Sequence, residues 1–101
     1  MGKPRFGNRL LVVGYGRIGK LLAAKLKSLG ANVTASARRD DDIAWIKASG
    51  INSARTGKLD ETIDRIRPDV IFTTVPHTVI GKKELEVCGD ALIIDLASKP
   101  G

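Results

Sequence analysis

The stretch RLLVVGYGRIG, residues 9–19, decides how the rest of the chain is read. Arg9–Val13 is a short apolar run that stops at Gly14, the pattern of a buried strand. From Arg17 the period changes. Ile18, Leu21, Leu22, Leu26 and Leu29 recur at helical spacing, and Lys20, Lys25 and Lys27 fall on the other face. Between strand and helix lies Gly14-Tyr15-Gly16-Arg17-Ile18-Gly19, a G-x-G-x-x-G loop. Alone that motif says little, but at a strand-to-helix junction inside a βαβ unit it predicts a dinucleotide site. Gly14 permits the tight turn, Gly16 lets a pyrophosphate approach bare backbone, and Gly19 lets the helix pack closely on the strand. The helix start adds N–H donors and a positive dipole end, so Tyr15, Arg17 and Ile18 join the cofactor-binding candidates.

Working outward, Asn32–Ala37 (NVTASA) reads as a second strand. Asp40, Asp41 and Asp42 suit the start of a second helix, which Ile43, Trp45 and Ile46 continue and Gly50 closes. Ile51–Ala54 is a short third strand. Asp60, Glu61, Ile63 and Ile66 suggest a third helix stopped by Pro68. Asp69–Val75 (DVIFTTV) is a strong fourth strand, Gly81 to Cys88 a short helix ended by Gly89, and Ala91–Leu96 (ALIIDL) the last strand. Strands alternate with single helices, so the expectation is an α/β fold. More closely, it is a Rossmann-like doubly wound parallel sheet of about five strands in the order 3-2-1-4-5. Residues 1–8 read as an N-terminal extension and residues 9–101 as one dinucleotide-binding domain, with a catalytic domain absent.

The end of the second strand speaks to the choice of dinucleotide. A carboxylate about 20 residues past the glycines holds the ribose 2′-hydroxyl of NAD. Here Ala37 takes that place and Arg38 and Arg39 follow. A carboxylate would repel a 2′-phosphate, whereas arginines bind it through charge-assisted hydrogen bonds. The reading is NADP over NAD. An alternative for the two arginines is a solvated pair bridged to Asp40–Asp42, and Asp40 could itself reach a ribose hydroxyl.

In such sheets ligands lie beyond the carboxyl ends of the strands, near the switch in strand order. That rule selects Thr74, Val75, Pro76, His77 and Thr78 after the fourth strand, and Ala97, Ser98 and Lys99 after the fifth. His77 is the only histidine. With no carboxylate partner predictable beside it, it reads as a loop residue rather than a general acid or base. Asp95 reads as a satisfied, partly buried acid, Cys88 as a small apolar filler, and Trp45 as packing for the second helix or as a shield for adenine. No His/Cys cluster has metal-ligand spacing, and no catalytic residue is assigned.

Composition narrows the function classes. At 101 residues the chain makes one small domain with one modest core. The 43% hydrophobic and 28% charged content is that of an ordinary globular domain. No apolar run approaches the length of a membrane span. One cysteine cannot form an internal disulfide, and the expected setting is the reducing cytoplasm. The net charge of +6 is uneven. Residues 1–50 hold ten basic and three acidic side chains, the remainder seven and eight. A basic half implies an anionic partner. With aromatics at 4% there is no stacking platform for nucleic acid, which leaves a phosphate-bearing small molecule.

The glycine loop, the Ala37-Arg38-Arg39 run and the C-terminal Ile94-Asp95-Leu96-Ala97-Ser98-Lys99-Pro100-Gly101 together carry a resemblance. From about Arg9 to Gly101 the chain resembles the nucleotide-binding domain of the dipicolinate synthase family, oxidoreductases of spore-forming bacteria. More distantly it is similar to the cofactor domains of D-2-hydroxyacid dehydrogenases and adenosylhomocysteine hydrolase. The resemblance implies an NADP-linked enzyme that forms dipicolinate from a dihydrodipicolinate-type precursor, working with a second subunit. It also implies a longer parent chain, so that this one would be an excised or engineered cofactor domain, inactive alone. A rival reading is a stand-alone regulatory nucleotide sensor, for which a homodimer responsive to nucleotide would be the sign.

Overall fold

The computed structural model describes residues 9–75 and 86–97. The chain forms β1 (Arg9–Val13), α1 (Arg17–Ser28), β2 (Asn32–Ala37), α2 (Asp40–Ala48), β3 (Asn52–Arg55), α3 (Leu59–Ile66), β4 (Val70–Thr73) and β5 (Leu92–Asp95). A 3₁₀ turn, Thr56–Lys58, joins β3 to α3. Among the described residues, the five strands are all parallel in the order β3-β2-β1-β4-β5, as expected. β1 is central: Val13 stands beside Ser36 of β2 and Thr73 of β4. β1 and β4 therefore end at one level, and β2 one residue beyond it.

Central position explains why β1 is apolar on both faces. Val12 packs with Ala35, Ala23 and Ile46 beneath α1 and α2. Leu11 and Val13 pack with Leu59, Ile63 and Ile71 beneath α3. Leu11, Ile46, Leu59, Ile63 and Ile71 are the largest wholly enclosed side chains among the described residues. Each contributes roughly 1.5–3 kcal/mol by leaving water.

α1 corrects the helical stripe read from its leucines. Ile18, Leu21 and Leu29 are exposed, at 46%, 68% and 73%. The residues facing the sheet are Gly19 and Ala23, flanked by half-buried Leu22 and Leu26. Small residues at the contact allow a close approach of helix to strand, and Ile18 and Leu21 are turned outward. Trp45 is corrected too. It is 63% exposed on the outer side of α2 beside Ala44, Ala48 and Asp41, while Ile43 and Ile46 make the core contacts.

Boundaries differ by a residue or two. β3 starts at Asn52, not Ile51, and Ile51 enters the core just before it. β4 is Val70–Thr73 rather than Asp69–Val75. Asp69 instead bonds to Arg9, and Thr74 to the end of β1. α3 ends as expected before Pro68, with Arg67 in the left-handed conformation at its C-cap. Residues 86–88 are helical and lead to a left-handed Gly89, but the predicted start of that helix at Gly81 lies outside the described residues. Cys88 packs against the α3 side of the core, in keeping with a filler role. Among the described residues no helix is long and apolar enough to cross a membrane.

Candidate dinucleotide site

The glycine loop is built by contact rather than by sequence flexibility alone. Gly14 sits at φ +104°, a backbone conformation costly for other residues. Its N–H donates to the Ser36 carbonyl oxygen at 3.1 Å. A Cβ there would meet Thr74 Oγ1 at 2.6 Å and Val75 Cγ1 at 2.7 Å. Thr74 is held in that place because its N–H and its hydroxyl both donate to the Val13 carbonyl oxygen, at 3.0 and 2.9 Å. The residues just past β4 thus brace the loop that leaves β1.

Gly19 closes the same assembly. Its Cβ would lie 2.2 Å from the Gly14 carbonyl oxygen. Gly16 is the opposite case, since a Cβ there would meet nothing within 4 Å. Open space above bare backbone is what a bound pyrophosphate requires. Gly16 is also the N-cap of α1, with no side-chain cap and no acidic residue in the first turn. The N–H groups of that turn and the positive dipole end are left for an anion. Tyr15 enters the core at 8% exposure, and Lys20 Nζ lies 5.5 Å from its ring centroid. Arg17 and Ile18 stand exposed at the helix start.

At the end of β2, Ala37 is buried and Arg38 and Arg39 are exposed. They do not act alike. Arg39 pairs with Asp41 at 3.2 Å. Arg38 lines an open depression of about 510 Å³ with Ala37, Arg55, Thr56, Gly57 and Lys58. Three cationic side chains therefore converge where β2 and β3 end side by side, Ala37 being in register with Arg55. Arg55 also pairs with Asp40 at the start of α2. Below them, Ser36 Oγ lies 3.0 Å from Thr56 Oγ1 in a buried hydroxyl pair.

Sequence reasoning missed Arg55, Thr56 and Lys58. The expected site residues follow β1, β2, β4 and β5, and none was expected after β3. A parallel β3 next to β2 brings its own following residues to the same edge, and that could have been read from the predicted strand order.

Beyond β4 and β5, Thr73 donates its hydroxyl to Asp95 Oδ1 at 3.0 Å, and the Ala97 N–H donates to the same oxygen at 3.0 Å. Asp95 is satisfied, as expected, but exposed rather than partly buried. Thr74, Val75 and Ala97 lie at the carboxyl edge with the glycine loop. Pro76, His77, Thr78, Ser98 and Lys99 lie outside the described residues. Among the described residues no group of three or more His, Cys, Asp or Glu could hold a metal ion.

A parallel 3-2-1-4-5 sheet with a braced glycine loop at β1 and an anion-ready helix start defines a dinucleotide-binding Rossmann domain. The chain belongs to the family of D-isomer specific 2-hydroxyacid dehydrogenase NAD-binding domains, whose profile matches residues 1–97. Among solved structures it is similar to dipicolinate synthase from Bacillus subtilis, with 31% identity and a TM-score of 0.87. It is likewise similar to dipicolinate synthase from Bacillus halodurans, with 32% identity and a TM-score of 0.86. Each match covers all of this chain and 34% of the other, so the chain spans about a third of the length of those relatives. A V8 variant of an imine reductase from Myxococcus stipitatus, in complex with NAD+, shares the fold at 19% identity and a TM-score of 0.77. That match covers 91% of this chain and 32% of that one. No curated protein sequence matches significantly.

Proposed function

We propose that this chain is the NADP(H)-binding domain of an oxidoreductase of the dipicolinate synthase type. In this reading the pyrophosphate lies over Gly16 and the start of α1, with Gly14, Tyr15, Arg17, Ile18 and Gly19 shaping the seat. The adenosine 2′-phosphate lies at the depression beyond Ala37, and Arg38 is its principal partner. The nicotinamide end runs toward Thr74, Val75, Pro76, His77, Ala97 and Ser98. Arg39, held by Asp41, serves as a secondary charge.

The observation that carries the choice of NADP is the convergence of Arg38, Arg55 and Lys58 beside a buried Ala37, where an NAD site has its carboxylate. Charge-assisted hydrogen bonds to a phosphate favour it by roughly 1.5–3 kcal/mol each.

The bound dinucleotide would supply the hydride chemistry, while the protein supplies orientation. Turnover needs a substrate held in near-attack geometry with water excluded. One such layer does not provide that, so a second domain would complete the site, and a second subunit would join it, as the likeness to dipicolinate synthase implies. Residues 9–101 would form the dinucleotide domain, residues 1–8 an extension of it, and the cytoplasm, where Cys88 stays reduced, would be its setting.

Calorimetric titration of NADPH and NADH against the chain and its Arg38→Ala variant tests the reading. The chain should prefer NADPH, and the variant should lose about tenfold or more in NADPH affinity with NADH nearly unchanged. An Arg38→Ala variant that keeps NADPH affinity within about twofold would falsify the assignment.

A further inference from the structure

Arg55 faces two anions, one present and one proposed. It lines the depression with Arg38 and Lys58, and its guanidinium is bonded to the Asp40 carboxylate. Asp40 is the first residue of α2, three positions past Ala37, and its side chain is 82% exposed. Arg55 is in register with Ala37, so the last residue of β3 and the first of α2 meet at one corner of the depression. Arg39, the other arginine near that helix start, is engaged by Asp41 instead.

Resting on the NADP reading above, we infer that Asp40 is an internal competitor of the adenosine 2′-phosphate for Arg55, and so moderates the preference for the phosphorylated cofactor. Arg55 Nη2 donates to Asp40 Oδ1, so the carboxylate takes one of the five guanidinium N–H donors and offsets the cation's charge. A 2′-phosphate that engages Arg55 meets a guanidinium already paired, and leans chiefly on Arg38 and Lys58. Each binding event therefore includes the partial loss of an ion pair. Because the pair is solvent-exposed, that loss is small enough to permit binding and large enough to be measured. Asp40 acts through Arg55, so it is a positioning residue rather than a direct ligand.

The probes are adenosine 2′,5′-bisphosphate and adenosine 5′-monophosphate, which differ only in the 2′-phosphate. Asp40→Asn should bind the bisphosphate about threefold tighter and leave the monophosphate unchanged. Arg55→Ala should weaken the bisphosphate about fivefold or more, and adding Asp40→Asn to it should give no further gain. Arg55→Lys, which keeps the charge but loses the fork, should recover part of the loss. Both side chains are exposed and α2 keeps Asp41 and Asp42 in its first turn, so melting curves should show folded variants throughout. The inference is overturned if Asp40→Asn leaves bisphosphate affinity unchanged, or if its gain persists without Arg55. Should the unaltered chain bind both probes equally, the NADP reading itself fails, and that outcome is distinct from the other two.

Discussion

A side-chain carbon on Gly19 would stand 2.2 Å from the carbonyl oxygen of Gly14 and 3.1 Å from Thr74 Oγ1. The first of these neighbours is backbone and cannot rotate aside. α1 touches the end of β1 here with no atom to spare, which is why Gly19 and Ala23 make its closest contacts with the sheet while Leu22 and Leu26 only flank them.

Gly19→Ala must therefore push the helix away from the strand. Overpacking of this kind costs about 1–3 kcal/mol. Urea denaturation should report that loss, and dinucleotide affinity should fall with it because the phosphate seat is displaced. Unchanged stability would mean that the helix shifts freely and the contact is not a constraint.

Gly16→Val should separate binding from folding. A side chain at this position meets no protein atom, so the packing of the fold is untouched. An aliphatic N-cap in place of glycine costs about 1 kcal/mol at most. The new methyl groups would occupy the pyrophosphate's space, and binding of NADPH and NADH alike should drop by more than about tenfold. Calorimetry alongside a melting curve checks both halves. Retained affinity would remove the phosphate from this loop.

Ser36→Ala tests the buried link between the glycine loop and the β3 turn. Ser36 is fully enclosed and its hydroxyl shares a hydrogen with Thr56. Removing it strands the Thr56 hydroxyl, which is only 9% exposed, at a cost of about 1–3 kcal/mol. The urea midpoint should fall accordingly. A shift smaller than about 0.5 kcal/mol would show that Thr56 finds another partner.

The order of the sheet and the character of the glycine loop were legible in the sequence because both are local signals. RLLVV ends at a glycine, NVTASA follows a helix of the right length, and right-handed crossovers leave little choice of topology. What could not be read was set by tertiary geometry. Ile18 and Leu21 look like core residues until the close approach at Gly19 turns them outward. Trp45 looks like packing until Ile43 and Ile46 fill the space beneath α2. Arg55 and Lys58 follow a short strand with little pattern of its own, and they matter only because β3 lies against β2. Arg38 and Arg39 are adjacent in the sequence, yet Asp41 engages one and the depression receives the other.

Thr74 braces the glycine loop from 61 residues downstream of Val13, its hydrogen-bond acceptor. A chain emerging from its amino end can pair β1 with β2 early, across a single helix. The far side of Gly14 stays unsupported until β4 has been made and docked. The wall beside Gly14 therefore exists only in a chain whose β4 is docked against β1. Cofactor capture in such a chain reads out completion, since nascent or misassembled forms lacking a docked β4 would offer the glycines without their wall.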